Sequence, residues 1–267
     1  METKTVLVTG ATDGIGKATA LELAKRNFNV IIHGRSVEKT EAVKNEIALQ
    51  LFDARLETAV ADLASLDEVR ALGVEIMQRF DSLDVLLHNA GVFMNERVLS
   101  PDSFEMTFAV NHLAVFALTM ELLPLLRSSN TRVVTVSSIA HTRGRMDLSD
   151  LNAEKGFSPY GAYAQSKLAN ILFANELAER EAGKLTSNSL HPGVITTKLL
   201  QAGFNTTGAS TEQGAATSVH LASAPELEAV TGRYFSDSHE VAPAPQALDR
   251  GDQKQLWELS RKLTGLN

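Results

Sequence analysis

The sequence has no cysteine among its 267 residues, which excludes a disulfide framework and a thiolate metal site. It has no excess of positive charge either, since 32 acidic against 25 basic residues give a net charge of −7. That balance argues against a nucleic-acid partner. No uninterrupted apolar run reaches the roughly 18 to 20 residues that cross a bilayer, and the opening METKTVLVTG lacks the pattern of a signal peptide. These absences predict a cytoplasmic protein without a membrane span.

Short apolar runs alternate with amphipathic stretches along most of the chain. The runs predict strands at 4–9, 29–33, 56–61, 83–88 and 132–137, and the stretches predict helices at 14–27, 37–51, 66–80, 101–127 and 160–183. The last two strands are almost wholly apolar, as expected of strands covered on both faces. The alternation therefore predicts a single α/β domain over 1–267, with a doubly wound parallel sheet and helices on both faces. We expect the irregular segments at about 139–160 and 195–212 to be loops or short helices near the site.

Two helix starts have recognisable caps. Ser65 with Glu68 fits a capping box. Ser100-Pro101 predicts a capped start for the helix at 101–127, with proline at its first position.

A glycine-rich turn, TGATDGIG, follows the first strand. Gly10, Gly14 and Gly16 permit a tight turn and a close approach of a pyrophosphate to the backbone, and the following helix N-terminus offers unpaired N–H groups. The other turn residues predicted to contact the nucleotide are Thr12, Asp13 and Ile15. A glycine cluster can also be an ordinary turn, but its place after the first strand favours a nucleotide site.

The end of the second strand indicates which dinucleotide binds. NAD-binding sites usually place a carboxylate there, whereas this chain has His33-Gly34-Arg35-Ser36. Arg35 can form paired, charge-assisted bonds to a 2′-phosphate, so the predicted cofactor is NADP(H). Lys17 is a candidate second cation. Either residue can instead be an ordinary solvated side chain.

Tyr163 and Lys167 lie four positions apart, on one face of a predicted helix. A neighbouring ammonium favours the phenolate and lowers the pKa of a tyrosine, which suits proton exchange with a carbonyl oxygen. The same spacing is common in aromatic–basic pairs on protein surfaces. The surrounding motifs therefore have to distinguish a catalytic pair from a surface pair.

In motif order the chain resembles the short-chain dehydrogenase/reductase family over nearly its whole length. The matching residues are Thr9 to Gly16, Asp62-Leu63, Asn89-Ala90-Gly91 (after His88, where the family pattern has Asn), Asn111, Ser138, Tyr163 with Lys167, and Pro192-Gly193-Val194-Ile195-Thr196-Thr197. The resemblance implies a Rossmann domain that binds NADP(H) and transfers hydride between the cofactor and a carbonyl or alcohol substrate.

The resemblance also implies roles for individual residues. Tyr163 is the general acid/base, Lys167 lowers its pKa and binds the nicotinamide ribose, Ser138 orients the substrate oxygen, and Asn111 holds a water in the proton relay. Cofactor contacts are implied for Asp62, Leu63, Asn89, Ala90, Gly91, Tyr163, Lys167, Pro192, Gly193, Val194 and Thr197.

The long Ser138-to-Tyr163 spacing, HPGV at 191–194 and LWELS at 256–260 resemble the retinol dehydrogenase-like branch. Many members of that branch have an N-terminal membrane anchor. This sequence opens on a strand, so neither the membrane habit nor the retinoid substrate is carried over. Phe93, Met94, Phe157 and Phe204 suggest an apolar pocket or packing in the core or a lid. Leu168, Ile171, Leu172 and Phe173 can serve a homodimer or homotetramer interface, or the core.

Other functions fit the sequence less well. Ser138 and His141 suggest a hydrolase, but the G-x-S-x-G elbow is absent. His88, His112 and His191 lack metal-ligand spacing, so no metal site is predicted. An NADP-binding regulatory or scaffold protein without turnover is the remaining alternative, and the complete catalytic set argues against it.

Overall fold

The computed structural model describes residues 3–204 and 206–266; positions 1, 2, 205 and 267 of the predicted domain lie outside it. Within these ranges the strands form one eight-stranded sheet in the order β3-β2-β1-β4-β5-β6-β7-β8. Pairing is parallel from β3 through β7, and β8 is antiparallel to β7. The order reverses direction beside β1, which places a crevice at the carboxyl ends of β1 and β4. The predicted doubly wound α/β sheet is confirmed.

The strands of the sheet are short. They are β1 (Thr5–Val8), β2 (Asn29–Gly34), β3 (Arg55–Val60), β4 (Val85–His88), β5 (Arg132–Val136), β6 (Thr186–His191), β7 (Tyr234–Ser236) and β8 (His239–Glu240). The helices are α1 (Gly14–Lys25), α2 (Val37–Gln50), α3 (Leu66–Arg79), α4 (Met106–Phe108), α5 (Ala114–Ser128), α6 (Pro159–Arg180), α7 (Lys198–Phe204), α8 (Thr211–Ser223) and α9 (Arg250–Leu263). A π-helical turn, Ala109–Leu113, joins α4 to α5.

Alternate residues of each central strand face two separate apolar layers, as the two-residue period of a strand requires. Leu7 and Leu86 face a layer built with α3, α5, α6 and α9. Val8 and Leu87 face a second layer built with α1, α2 and α8. Because both faces are covered, β1, β4 and β5 are buried along their whole length, and the loops at their carboxyl ends are left to form the site.

The helix expected at 101–127 begins five residues later than predicted. Ser100 does not cap it: its hydroxyl accepts a hydrogen bond from Phe104 N at 3.2 Å within a turn. The cap is Glu105, whose carboxylate accepts from the backbone N–H groups of Thr107 (2.9 Å) and Phe108 (2.8 Å). A buried carboxylate at a helix N-terminus outcompetes the serine because it satisfies two free N–H groups and favours the dipole.

The predicted capping box at Ser65 is half formed. The Ser65 hydroxyl accepts from Glu68 N at 3.4 Å and caps α3. The Glu68 carboxylate instead accepts from Asp62 N at 2.7 Å. Glu68 therefore fastens the turn after β3 to α3.

The two irregular segments contain short helices, as expected. A 3₁₀ helix spans Ile139–Arg143, and α7 lies within 195–212. Strand β6 was not predicted, because its sequence, TSNSLH, is mostly polar. Its four central residues are nevertheless buried.

Among the residues that the structure describes, the continuous helical segment Met106–Ser128 (α4, the π-helical turn and α5) is long and apolar enough to cross a membrane by length and composition. However, 78% of its most apolar window is buried inside the fold.

Candidate active site

The glycine turn is packed directly against the end of β4. Gly10 has φ +65°, and a Cβ there would lie 2.9 Å from Ala90 Cα. A Cβ on Gly16 would lie 2.3 Å from Gly10 O and 2.4 Å from Asn89 Nδ2. The turn therefore admits only glycine at these two positions, and it leaves backbone exposed at the start of α1 for a ligand to approach.

His33, which lies beneath the turn, was not among the predicted site residues. Its Nδ1 accepts from Gly10 N at 3.3 Å, and its Nε2 lies 3.2 Å from Ala61 O. Burial lowers the pKa of His33 to about 4, so the ring is neutral and donates from Nε2. One imidazole thus joins the ends of β1, β2 and β3 beneath the predicted nucleotide site.

Arg35, the cation predicted to bind a 2′-phosphate, lies at the end of β2. Arg35 follows Gly34 directly, is exposed, and forms no ion pair with any residue in 3–204 or 206–266. A Cβ on Gly34 would lie 2.4 Å from Thr12 Cγ2, so Thr12 adjoins the same strand end. Lys17, the suggested second cation, is paired with Glu46 of α2 at 2.6 Å. In this structure its ammonium is therefore directed at α2.

The Asn-Ala-Gly segment after β4 is fastened to β1. Thr9 Oγ1 accepts from the backbone N–H groups of Asn89 (3.0 Å) and Ala90 (3.1 Å), and Asn89 Nδ2 donates to Thr9 O at 2.9 Å. His88, the departure from the family pattern, faces away toward α5, with Nε2 2.8 Å from Thr119 Oγ1. The substitution leaves the turn intact.

Asp62 and Leu63 lie in the turn after β3, at the same edge of the sheet. Asp62 Oδ1 accepts from Ala64 N at 3.0 Å, which shapes the turn, and the Leu63 side chain is buried.

Tyr163 and Lys167 project from one face of α6, as predicted, and both are buried. Lys167 Nζ lies 5.7 Å from the centroid of the Tyr163 ring and donates to Val136 O at 3.0 Å. Burial raises the pKa of Tyr163 to about 12, against a smaller lowering by a hydrogen bond with Ser138. Burial also lowers the pKa of Lys167 to about 8. The net pKa of Tyr163 is therefore raised and not lowered, because desolvation of the phenolate outweighs the influences that favour it.

Ser138 lies two residues after the end of β5, beside Tyr163. Its hydroxyl accepts from Ala140 N at 3.2 Å and caps the short 3₁₀ helix, so the oxygen stays at the mouth of the site. His141, the suggested hydrolase partner, points elsewhere: its Nδ1 lies 2.7 Å from Ser138 O, and its Nε2 accepts from Ala244 N at 3.0 Å. Because Nε2 is used as an acceptor, the ring fastens the 3₁₀ helix to the C-terminal region.

Asn111 lies in the π-helical turn, fully buried. Its Oδ1 accepts from Val92 N at 2.8 Å, and its Nδ2 donates to Val92 O and to Ser166 Oγ, both at 3.0 Å. Both N–H groups of the amide are used within the protein, and Oδ1 keeps a second acceptor position. The side chain therefore clamps the loop after β4 to α6, and its predicted contact with a water stays a prediction.

The segment after β6 reaches over to the glycine turn. Its predicted contact residues, Pro192 to Thr197, span a left-handed Gly193 (φ +92°) and an exposed Val194. A Cβ on Gly14 would lie 3.4 Å from Thr197 Cγ2, and Lys198 Nζ lies 2.5 Å from Asp13 Oδ2. The start of α7 is therefore connected to the predicted phosphate turn.

Aromatic rings from three segments surround Tyr163. Phe93 lies 5.4 Å from the Tyr163 ring and 5.4 Å from Phe204 of α7. Phe204 also lies 5.9 Å from Tyr160 at an edge-to-face angle. Two of the four residues suggested for an apolar pocket, Phe93 and Phe204, thus converge on the tyrosine.

Besides His33, the structure adds Ser166 and Asn170 to the site. Ser166 Oγ bonds Asn111, and Asn170 Nδ2 donates to Val136 O at 3.2 Å. A signal for both was present: Tyr163, Ser166, Lys167 and Asn170 follow the i, i+3, i+4, i+7 spacing of one helix face. Polar residues at that spacing on an otherwise apolar helix face mark a buried polar site.

The fold and this site define a dinucleotide-binding α/β enzyme with a Ser-Tyr-Lys cluster at the carboxyl edge of its sheet. Comparison with known sequences gives the same class. The sequence model for "short chain dehydrogenase" matches residues 4–208. The chain belongs to the short chain dehydrogenase family of oxidoreductases.

Similar proteins place the chain within a branch of that family. It is 40% identical to human retinol dehydrogenase 14, over 100% of this chain and 88% of the relative, and 41% identical to human retinol dehydrogenase 13, over 98% and 85%. Mouse polyprenol dehydrogenase is 39% identical, over 98% and 84%.

Solved structures agree with the fold. An uncharacterised protein from Mycobacterium paratuberculosis superposes with a TM-score of 0.83 at 35% identity, over 98% of this chain and 93% of that chain. A short chain dehydrogenase from Escherichia coli complexed with NADPH superposes with a TM-score of 0.74 at 27% identity, over 88% and 97%. The identities to human retinol dehydrogenases 13 and 14 confirm the resemblance to the retinol dehydrogenase-like branch.

Proposed function

We propose that the protein transfers hydride between NADP(H) and a substrate carbonyl or the corresponding primary or secondary alcohol, with Tyr163 as general acid/base. The observation that carries this proposal is the cluster of Ser138, Tyr163 and Lys167 at the carboxyl edge of the sheet. The glycine turn lies at the same edge, after β1. A cofactor on the turn and a substrate under the aromatic rings would meet there.

The residues present fit a dinucleotide. A Cβ on Gly10 or Gly16 would clash with protein atoms, so only glycine allows the tight turn that dinucleotide-binding sites use. Arg35 is exposed and takes the place where NAD-binding sites have a carboxylate, which favours a 2′-phosphate. A solved relative named as complexed with NADPH supports the same cofactor. Asp62, Leu63, Ala90 and Gly91 would line the rest of the site.

When bound, the nicotinamide supplies or accepts the hydride. Tyr163 has a pKa near 12, so at neutral pH the phenol is protonated and can donate its proton to a carbonyl oxygen. Ser138 holds a hydroxyl beside it to orient that oxygen. Lys167, whose pKa is lowered to about 8, remains largely an ammonium at neutral pH and stabilises negative charge on the phenolic oxygen as the proton leaves.

The rings of Phe93, Tyr160 and Phe204 favour a substrate of moderate size with an apolar part. Retinol and polyprenol are the alcohols in the names of the relatives. We retain cytoplasmic location, absence of a membrane span and a homodimer or homotetramer as proposals. Leu168, Ile171, Leu172 and Phe173 supply no oligomer interface, because all are at most 2% exposed within the chain.

The test is NADPH oxidation across aldehydes, ketones and quinones, with Tyr163→Phe as the blank. We expect turnover by the wild-type protein and a loss of roughly 10²- to 10⁴-fold in the variant. The NADPH dissociation constant should change little, because only one phenolic oxygen is removed. Substantial turnover by Tyr163→Phe would refute the role of Tyr163. Tight NADPH binding without wild-type turnover on any carbonyl would favour the regulatory or scaffold alternative.

A further inference from the structure

The carbonyl of Val136, at the end of β5, holds two side chains of α6. Lys167 Nζ donates to it at 3.0 Å, and Asn170 Nδ2 donates at 3.2 Å. A backbone carbonyl has two acceptor positions, and both are filled. The Lys167 ammonium can therefore donate to this oxygen from one position only. It also lies against Gly91, where a Cβ would be 3.4 Å from Nζ.

The other end of the Asn170 amide faces a buried histidine. Asn170 Oδ1 and His112 Nδ1 are both buried, and neither reaches hydrogen-bond geometry with another described residue. They lie near each other, since the His112 ring is 6.3 Å from the ring of Phe173, one turn after Asn170 on α6. Interaction with the Asn170 side chain also opposes the larger lowering of the His112 pKa by burial, to about 3. The neutral ring has one N–H, and Nδ1–H toward the amide oxygen is the complementary arrangement.

The opposite nitrogen of His112 reaches the C-terminal helix. Nε2 lies 2.8 Å from Ser260 Oγ on α9, across 148 positions of sequence. With Nδ1 protonated, Nε2 accepts from the serine hydroxyl. His112 follows Asn111 in the π-helical turn, and its ring stacks on Phe108 at 5.1 Å. A polar chain thus runs from Ser260 through His112, Asn170 and Val136 O to Lys167.

This chain of polar groups crosses an apolar layer, where nonpolar residues of similar volume would usually be as stable or more so. We propose that Asn170 and His112 are positioning residues for the Lys167 ammonium, and that Ser260 links this positioning to the docking of α9. The inference rests on the proposed function insofar as Lys167 acts in turnover. Asn170 occupies one acceptor site of Val136 O, and His112 holds the Asn170 amide in the orientation that lets it donate.

Two substitutions at His112 separate positioning from packing. His112→Phe keeps a ring that can stack on Phe108 but removes both nitrogens, whereas His112→Gln keeps a donor and an acceptor and loses the ring. We expect Phe to have the higher Tm and Gln the higher kcat, with kcat of His112→Phe about fivefold below wild type, because small misplacements at a reacting centre are costly. The effect should fall on kcat more than on KM. Equal or reversed kcat order, or kcat of His112→Phe within about twofold of wild type, would overturn the proposal.

A milder pair covers the case in which both His112 variants fail to fold. Ser260→Ala and Thr119→Val each remove a hydroxyl that lies 2.8 Å from the Nε2 of a buried histidine. The Thr119 partner is His88, outside the chain that leads to Lys167. We expect Ser260→Ala to lower kcat about twofold or more, and Thr119→Val to leave it at the wild-type value. Equal effects would show that the buried bonds act on stability alone.

A third measurement is independent of turnover. In protein labelled with ¹⁵N-lysine, the Lys167 ammonium signal is assigned by its loss in Lys167→Met. We expect Ser260→Ala and His112→Phe to shift this signal, and Thr119→Val to leave it unmoved. An unmoved signal in all three variants would refute the positioning role. Wild-type protein without turnover but with the expected shifts would refute the proposed function alone.

Discussion

The two sides of the candidate site are built differently. On the cofactor side, the glycine turn is joined to β2 and β4 by hydrogen bonds from side chains to backbone atoms. They are made by the buried His33 and Thr9 and by the half-buried Asn89. On the substrate side, none of the seven residues of α7 is buried. That helix is attached through the Asp13–Lys198 ion pair, the ring of Phe204 and the half-buried Leu199, which packs on the cluster of Phe93 and Tyr163.

This difference shows where the sequence alone specifies the local geometry of the site. Backbone-to-backbone packing at Gly10 and Gly16 leaves one residue type, so the motif predicts the geometry. Exposed ion pairs contribute little, so we expect the attachment of α7 to be weaker than that of the glycine turn. We expect substitutions on the cofactor side to abolish binding and those on the substrate side to tune it.

The largest effect is expected at Gly16. In Gly16→Ala the new methyl group would meet Gly10 O and Asn89 Nδ2, so the turn must shift. We expect NADPH affinity to fall by about 100-fold, near the upper end of the ~1–3 kcal/mol that overpacking costs. The control is Gly156→Ala, where an added Cβ meets no atom within 4 Å. Titration by fluorescence compares the two, and equal affinities would contradict the rigid cofactor side.

Lys167 gives the next effect, on stability. Its pKa falls from 10.5 to about 8 on folding. Between these pH values the unfolded chain binds more protons than the folded protein, so the free energy of unfolding falls as the pH falls from 10.5 through 8. Lys167→Met removes the buried charge. We expect the free energy of unfolding at pH 7 to rise by roughly 2 kcal/mol.

Urea unfolding at several pH values measures the Lys167 effect. The gain from Lys167→Met should shrink as pH rises above 8 and vanish near 10.5, while turnover is lost throughout. A gain that does not depend on pH would show that burial of charge is not its cause.

Substitution of the exposed Arg35 tests the contribution of a surface residue on the cofactor side. Arg35→Ser should weaken NADPH binding by roughly 10- to 100-fold, because a charge-assisted pair is worth roughly 1.5–3 kcal/mol. NADH binding should be unchanged, since it has no 2′-phosphate. Arg26→Ser, an exposed arginine at the end of α1, is the matched control. Equal wild-type dissociation constants for NADPH and NADH would remove the role of Arg35.

The smallest effect is expected on the substrate side. Phe204→Ala removes a ring that contacts Phe93, Tyr160 and Tyr163. We expect KM for an apolar carbonyl to rise by about fivefold, since aromatic pairs contribute ~0.5–1.5 kcal/mol. Tm should not move, because α7 has no buried residue. Phe52→Ala, at a phenylalanine that is 97% exposed, is the control; a large fall in Tm for Phe204→Ala would mean that α7 is part of the core.

Sequence reasoning placed the glycine turn, Arg35, Asn111, Ser138, Tyr163 and Lys167 on the correct elements. It failed where long-range contacts replace a local signal. Ser100-Pro101 reads as a helix cap, but the buried Glu105 carboxylate competes better. The Tyr163–Lys167 spacing suggests a lowered tyrosine pKa, but the depth of burial, which no spacing reports, raises it.

By itself, the sequence determined the first five strands, the family and the atoms available for chemistry, because apolar runs, helical patterns and glycine-only turns are local properties of the chain. Only the tertiary structure decided the electrostatic state of Tyr163 and Lys167, the pairing of Lys17 with Glu46, and the meeting of His112, Asn170 and Ser260 behind the ammonium. These depend on desolvation and on contacts between residues far apart in sequence, which exist only once the layers have packed.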